Sequence, residues 1–310
     1  MLYQSIIKLA EGQITQTFLV KKVYFGETIN KKPFTGLLLT DKTADIKCVV
    51  WESHLKNIQE GCFIQLSGEV KNGIDKDTGA TKLQIISNKS SVTVVKTPEN
   101  LADYTKSLDE LTRDKLLAEL NQFVQKIQDT HIKTLVEKSL MTEAVNGLTF
   151  KYCPLSEDRP ANYAGALLEN TVYVLRYLDG IYLNSFDRTT NLNSDILIAG
   201  AILMKIGAIE CFESNLLLIQ ANVHSKLLIN DASLLLVSRN IPAEMDPVKL
   251  AKILHIVSNP EQPRFIEALV ISDLWLLSLK MDKYANAIQY TKSNQQFSST
   301  ALTGFELFTK

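Results

Sequence analysis

The sequence predicts a multidomain α+β chain: an N-terminal barrel of five strands, then a larger all-α domain. Three observations carry this expectation. Short β-rich runs separated by turn residues fill the first ninety residues, helical periodicity takes over after residue 107, and the charge balance changes sign between them. Residues 1–96 hold 13 lysines, no arginine and 9 acids, a balance of +4, whereas the remainder holds 20 basic and 25 acidic residues, a balance of −5. A length of 310 residues is enough for two cores.

Taken in order, Ile14–Tyr24 alternates loosely and reads as the first strand. Phe34–Asp41 (FTGLLLTD) is the second, ending at the polar turn Asp41-Lys42. Asp45–Trp51 (DIKCVVW), Cys62–Val70 (CFIQLSGEV) and Lys82–Ser87 (KLQIIS) are the third, fourth and fifth. The polar piece Glu52–Glu60 is predicted helical. Five strands with a helix between the third and fourth follow the order of an OB-fold barrel. Asn72–Thr81 (NGIDKDTGAT), with paired Gly and Asp residues, reads as an exposed hairpin loop.

The barrel domain is placed at 1–90, a polar linker containing Pro98 at 91–106, and the helical domain at 107–290. There Ser107-Leu108-Asp109-Glu110 fits a capping box with Ser107 as N-cap. Leu116, Leu117, Leu120, Phe123, Val124 and Ile127 follow at helical spacing. Further helices are read over Ile132–Val145, in GALLENTVYVLRYLDGIY, in SDILIAGAILMKIGAIE, near Leu216–Leu228, and over Pro247–Val257 and Arg264–Tyr284. Their sequence suggests a bundle. The tail, 291–310, is polar until Phe305 and Phe308.

An OB barrel grips single strands with cations for phosphates and aromatic faces for bases. Lys21, Lys22, Lys31, Lys32 and Lys47 are interleaved here with Tyr24, Phe25, Phe34 and Trp51, and the pairs KK-x-Y-F and KKPF flank one predicted loop. The candidate binding residues are Lys21, Lys22, Tyr24, Lys31, Lys32, Phe34, Lys47 and Trp51. The competing reading has Phe18, Phe25, Phe34 and Phe63 filling the barrel, with lysines that only solubilise it. The net charge of −1 gives no overall attraction to nucleic acid, and the lack of Arg in the barrel weighs against base-specific readout. Cys48, Cys62, Cys153 and Cys211 form no C-x-x-C pair and read as reduced cytosolic thiols. The N-terminus lacks the apolar core of a signal peptide, and no apolar run is long enough to span a membrane. No P-loop or nucleophile-elbow motif occurs.

Four stretches carry more specific information: LVKKVYFGETINKKPFTGLLLTDKTADIKCVVWE, YAGALLENT, SDILIAGAIL and IEALVISDLWLLSLKM. In order and spacing they resemble the YhaM family of bacterial 3′-to-5′ exoribonucleases, in which an OB-fold domain precedes an HD-type metal-dependent phosphohydrolase domain. The resemblance runs over nearly the whole chain. It implies a cytoplasmic protein acting on RNA, and an HD-like helical domain.

The family's metal ligands are missing in a pattern. An HD site needs imidazole and carboxylate donors to hold the divalent metals that activate water. By the resemblance, Asn170 stands at the histidine of L-L-E-H-T, Met204 and Lys205 at the paired H-D, and Ala208 at the lysine of G-K. The tandem histidines fall near Pro160 and Ala161, and a later pair near Asn259 and Pro260. The terminal-helix aspartates fall near Trp275, Leu276 and Ser278. The chain has four histidines, His54, His131, His224 and His255, of which His224 is nearest an expected ligand.

The resulting expectation is a protein that binds single-stranded nucleic acid, RNA by family preference, with no catalytic residue, metal or other cofactor. The helical domain is then a scaffold offering self-association or a protein contact. The alternatives are an active YhaM-type exoribonuclease using Mn²⁺ or Mg²⁺, and an assembly protein whose barrel binds protein. Lys205 either sets its ammonium in the metal's space, against Glu169 and Asp273, or snorkels to the surface.

Overall fold

A computed structural model describes the chain except for residues 1–3, 75–80, 145–146, 157–160, 184–191, 216–217, 222–227, 291–296, 299–306 and 309–310. The chain divides into two compact units, Met1–Lys106 with the short piece Asn215–Leu218, and the rest from Ser107.

The first unit is a closed barrel of β1 (Gly12–Glu27), β2 (Pro33–Thr40), β3 (Asp45–Trp51), β4 (Phe63–Ile74) and β5 (Thr81–Asn88). The strands run β1-β2-β3-β5-β4 and close through β4 onto β1, with β3 and β5 parallel and the other pairs antiparallel. That is OB-fold topology. The long β1 makes closure possible: Gly12–Leu19 pairs with β4, Leu19–Glu27 pairs with β2, and the register slips between Val20 and Lys22. A bulge at Lys21 bends the strand where it changes neighbours. Phe18, Leu37, Leu39, Ile46, Cys48, Val50, Ile64, Leu66 and Ile85 fill the interior. Asp41 organises the β2–β3 turn: its Oδ1 accepts from Thr43 N and Oγ1, both at 2.6 Å, and from Ala44 N at 2.9 Å, while Oδ2 accepts from Ile6 N at 2.6 Å.

Two expectations for this unit are corrected. Glu52–Glu60 is not a helix but a series of turns. Glu52 takes a left-handed φ of 57°, Thr35 Oγ1 donates to Ser53 O and accepts from Leu55 N, and Leu55 and Ile58 turn into the barrel core. Backbone groups tied to β2 are not available for a helical ladder. The expected linker 91–106 holds a sixth strand, β6 (Val92–Val95), on β4. Beyond it Tyr104 is buried with Leu19 and edge-on to Phe63, ring centroids 5.0 Å apart, and Lys42 binds Asp103 at 3.0 Å. A four-residue strand with one aromatic anchor is too short to stand out from a polar run. The tip of the predicted hairpin loop, 75–80, lies outside the described residues, and Ile74 pairs with Thr81 at its base.

The second unit contains α1 (Glu110–Lys126), α2 (Thr130–Leu140), α3 (Ala166–Leu178), α4 (Ser194–Leu203), α5 (Ala208–Cys211), α6 (Ile229–Arg239), α7 (Pro247–Ser258) and α8 (Ile266–Tyr290), and between α5 and α6 the chain forms β7 (Phe212–Asn215) and β8 (Leu218–Ala221). A β-pairing of Phe297–Ser298 with Leu307–Phe308 lies beyond them. Aspartates cap the helices: Asp109 on α1, Asp129 on α2 and Asp246 ahead of Pro247 on α7. Asp109, not Ser107, is the α1 cap, because Ser107 is held in a bridge with Ala164. Within the helix expected near Leu216–Leu228, Leu218–Ala221 is instead a strand, β8, paired with β7, and 216–217 and 222–227 lie outside the described residues.

Helix α4 is apolar on every side and central, with Ile196–Leu203 all buried. The predicted continuous helix through ILIAGAILMKIGAIE ends at Leu203, turns through 204–207 and resumes at Ala208. Gly207 explains the break. Its N–H donates to Ser233 Oγ at 2.7 Å, and a Cβ there would lie 2.5 Å from Ile229 O of α6. Among the described residues no helix is long and apolar enough to cross a membrane. All four cysteines are free, and burial pushes the Cys48 thiol up to about 12, which keeps it protonated.

Candidate nucleic-acid interface

Strand alternation resumes after the Lys21 bulge and turns Lys22, Tyr24 and Gly26 to the outside of the barrel. Register carries three rows across β1, β2 and β3: Lys22–Leu38–Lys47, Tyr24–Gly36–Val49 and Gly26–Phe34–Trp51. They continue onto β5 as Gln84, Ile86 and Asn88. Two glycines shape this face. A Cβ on Gly36 would strike the Tyr24 ring, and one on Gly26 would strike the Phe34 ring. Each ring therefore lies over the neighbouring strand where no side chain stands. Phe34 and Trp51 are tilted against each other with centroids 5.7 Å apart. Tyr24 is 44% and Trp51 40% exposed, high values for rings on a sheet.

The structure thus brings Lys22, Tyr24, Phe34, Lys47 and Trp51 together on one surface. Lys31 and Lys32 sit beside its third row in the β1–β2 loop, which is pinned by Thr28 N–H to Lys32 O at 2.9 Å and Lys31 N–H to Thr28 O at 2.8 Å. Lys32 meets Glu52 at 2.8 Å, which holds its ammonium above the usual lysine range. Lys21, the bulged residue, is only partly exposed and pairs at 2.8 Å with Asp45, which stands one alternation before Lys47 at the edge of the same outward face. Of the four phenylalanines expected to fill the barrel, Phe18 does so and Phe63 packs with Tyr104. Phe34 belongs to the outer face, and Phe25, 51% exposed, lies against His54 with centroids 5.5 Å apart. Sequence reading missed Gly26, Gly36, Leu38 and Val49; strand parity corrected for one bulge would have found them.

In the helical unit, Asn170, Trp275 and Ser278, three of the positions matched to metal ligands, are buried, uncharged and hydrogen-bonded. Asn170 is fully buried, donates from Nδ2 to Ala166 O at 3.1 Å and accepts from Ser278 Oγ at 3.1 Å. Trp275 Nε1 donates to Ala201 O at 3.2 Å, and Met204 is buried. An amide, a hydroxyl, an indole and a thioether are not the donor set of a hard divalent cation. Among the described residues no three His, Cys, Asp or Glu side chains converge on a point. His224 and Pro160 lie outside the described residues. Glu169 accepts from the Tyr163 and Tyr173 hydroxyls, and burial followed by the Glu169 charge pushes the Tyr163 phenol well above its usual range. Glu267 is buried against Lys252, Nζ to Oε1 3.2 Å.

Lys205 follows neither expectation. Its Nζ donates to Asn230 Oδ1 at 2.9 Å at the start of α6, and it pairs with neither Glu169 nor the exposed Asp273. Burial lowers its pKa below the ordinary lysine value, with Glu261 opposing the shift. A folded pKa below the unfolded value means the unfolded chain binds more protons in between. Stability then rises as pH climbs from the folded pKa toward 10.5. Lys205→Met is expected to gain roughly 1 kcal/mol at pH 7, the gain shrinking as pH approaches that of free lysine. Urea melts of both proteins at pH 7 and 10 measure it, and a large destabilisation at pH 7 would contradict the assignment.

No family model matches the chain. The 3′-5′ exoribonuclease YhaM of Oceanobacillus iheyensis is 25% identical to it over 197 residues, 62% of this chain and 57% of that protein. The chain resembles a YhaM-type exoribonuclease. It spans little more than half of that relative's length, 57%. Solved structures similar to it include a small single-stranded DNA-binding protein from Streptomyces coelicolor (14% identity, 28% of this chain and 96% of that one, TM-score 0.21). A replication protein A heterotrimer bound to ssDNA (12%, 37% and 29%, 0.25) and the aspartyl tRNA synthetase of Entamoeba histolytica (16%, 48% and 39%, 0.21) are others. The OB assignment of the barrel stands on its strand order, to which such low TM-scores add nothing.

Proposed function

We propose that the β1–β2–β3 face binds single-stranded nucleic acid, with RNA as the preferred strand, and that the helical unit is an HD-like scaffold without metal-dependent hydrolysis. The observation that carries the binding reading is one surface holding the exposed rings of Tyr24 and Trp51 together with Lys22 and Lys47. Similarity to a YhaM-type exoribonuclease supports RNA over DNA. The uncharged Asn170–Ser278 pair at two ligand positions supports the scaffold reading.

Lys22 and Lys47 are the cations to test first, because both stand in the sheet on the row next to Tyr24. Affinity for labelled single-stranded RNA should fall with salt, by a slope of about 0.7 per phosphate neutralised. Lys22→Glu with Lys47→Glu should weaken binding at least about tenfold and flatten that slope by about one unit. Unchanged affinity and slope would remove this face from consideration. A second reading, an active exoribonuclease, is favoured by the name of the similar protein alone. Incubating end-labelled RNA with the protein and Mn²⁺ or Mg²⁺ separates the two, since stepwise shortening from the 3′ end would replace the scaffold reading.

A further inference from the structure

Helix α8 is 25 residues long and has two apolar faces. One is buried through Ala268, Ile271, Leu274, Trp275 and Ser278. On the other side Ile266, Leu269, Leu276, Leu277 and Met281 are each 39–51% exposed. Five large apolar side chains exposed along one helix form a contiguous patch of the kind that marks an interface. Ile266, Leu269, Asp273, Leu276 and Lys280 recur at alternating steps of three and four, the spacing of a seam between two helices.

The two charges on this stripe identify what covers it. Asp273 and Lys280 are both exposed, seven positions apart, and Leu276 and Leu277 lie midway between them. Set two such helices antiparallel about a two-fold axis passing between Leu276 and Leu277. Leu276 then meets Leu277 of the other copy, Asp273 meets its Lys280, and Leu269 meets its Tyr284, each contact occurring twice. This is the self-complementary arrangement a two-fold interface requires. Parallel pairing would instead oppose aspartate to aspartate and lysine to lysine. We propose that the exposed α8 face joins two copies of this chain as an antiparallel helix pair centred on Leu269–Tyr284, about 24 Å of helix.

The pairing is independent of nucleic-acid binding by the barrel, and nuclease-treated protein tests it. Sedimentation equilibrium of the full chain should give twice 34.7 kDa. Asp273→Lys sets lysine against Lys280 at both symmetry-related contacts, and Lys280→Asp sets aspartate against Asp273 at both. Each single change should weaken the dimer by about tenfold or more, while the double exchange should restore the wild-type affinity. Both positions are exposed, so thermal melts at concentrations where all the proteins are monomers should match the wild type. The proposal is overturned by any of three results: a wild-type monomer at about 100 µM, as when the face is covered by the chain's own tail or another protein; a dimer indifferent to both single changes; or a double exchange that does not restore pairing.

Discussion

Replacing Tyr24 and Trp51 together by alanine is expected to weaken single-stranded RNA binding by about two orders of magnitude while the barrel stays folded. Base stacking on an aromatic face is worth about 1–3 kcal/mol per base, so two rings carry about 2–6 kcal/mol. At a factor of ten per 1.4 kcal/mol the lower end already exceeds about twentyfold. Both rings are substantially exposed, so truncating them leaves the interior residues in place. Phe34 is less suitable, because its ring lies over Gly26 and against Trp51, and removing it disturbs the row as well as the contact. Phe25→Ala is the matched control: an exposed ring against His54 outside the three rows, whose loss should leave affinity unchanged. Fluorescence anisotropy with a labelled oligonucleotide gives both affinity and salt slope. The alanine pair should lower affinity at constant slope, since no phosphate contact is lost, whereas lysine reversal changes the slope. A double variant that binds within threefold of wild type would show that the rings do not stack on bases.

How much of this was legible before the structure depends on the kind of signal. The five barrel strands were, because each is a run of β-branched and aliphatic residues between turn residues, as in DIKCVVW. β6 was not: four residues pairing on an existing edge need no periodicity of their own. Which lysines share a surface was only half legible. A single bulge at Lys21 shifts strand parity, so alternation alone does not tell which of the adjacent Lys21 and Lys22 enters the rows: Lys22 does, beside Tyr24, while Lys21 pairs with Asp45 at their edge. In the helical unit, the residue types at positions matched to the family's ligands could be read from the sequence, but the contacts those residues make could not. Asn170 and Ser278 are 108 residues apart and meet only once α3 and α8 are packed. Lys205 shows the same limit: its partner Asn230 belongs to a helix whose start the sequence did not mark.

Asn170→Asp tests that core and is expected to destabilise the protein by about 3–5 kcal/mol at pH 7. The side chain has no exposed surface, donates to Ala166 O at 3.1 Å and accepts from Ser278 Oγ at 3.1 Å. A carboxylate can keep the second contact but has no proton for the first, so it would face the Ala166 carbonyl oxygen as a buried, unpaired charge. Burial raises the pKa of such a carboxyl above the unfolded value of about 3.9. Between the two values the folded chain binds more protons than the unfolded one, so stability falls as pH rises through that window. The penalty is therefore full at pH 7.5 and shrinks on acidification toward about pH 4.5, where protonation restores a donor for Ala166. Denaturant melts of variant and wild type at the two pH values give the sign directly. A penalty that grew on acidification would mean that Asn170 is not in a neutral, desolvated pair. Adding Mn²⁺ to the variant supplies the decisive control. A core of amide, hydroxyl and thioether groups gains nothing from the cation, whereas a metal-dependent rise in the Asn170→Asp melting temperature would show that a cradle for metal remains here and that supplying one carboxylate is enough to load it.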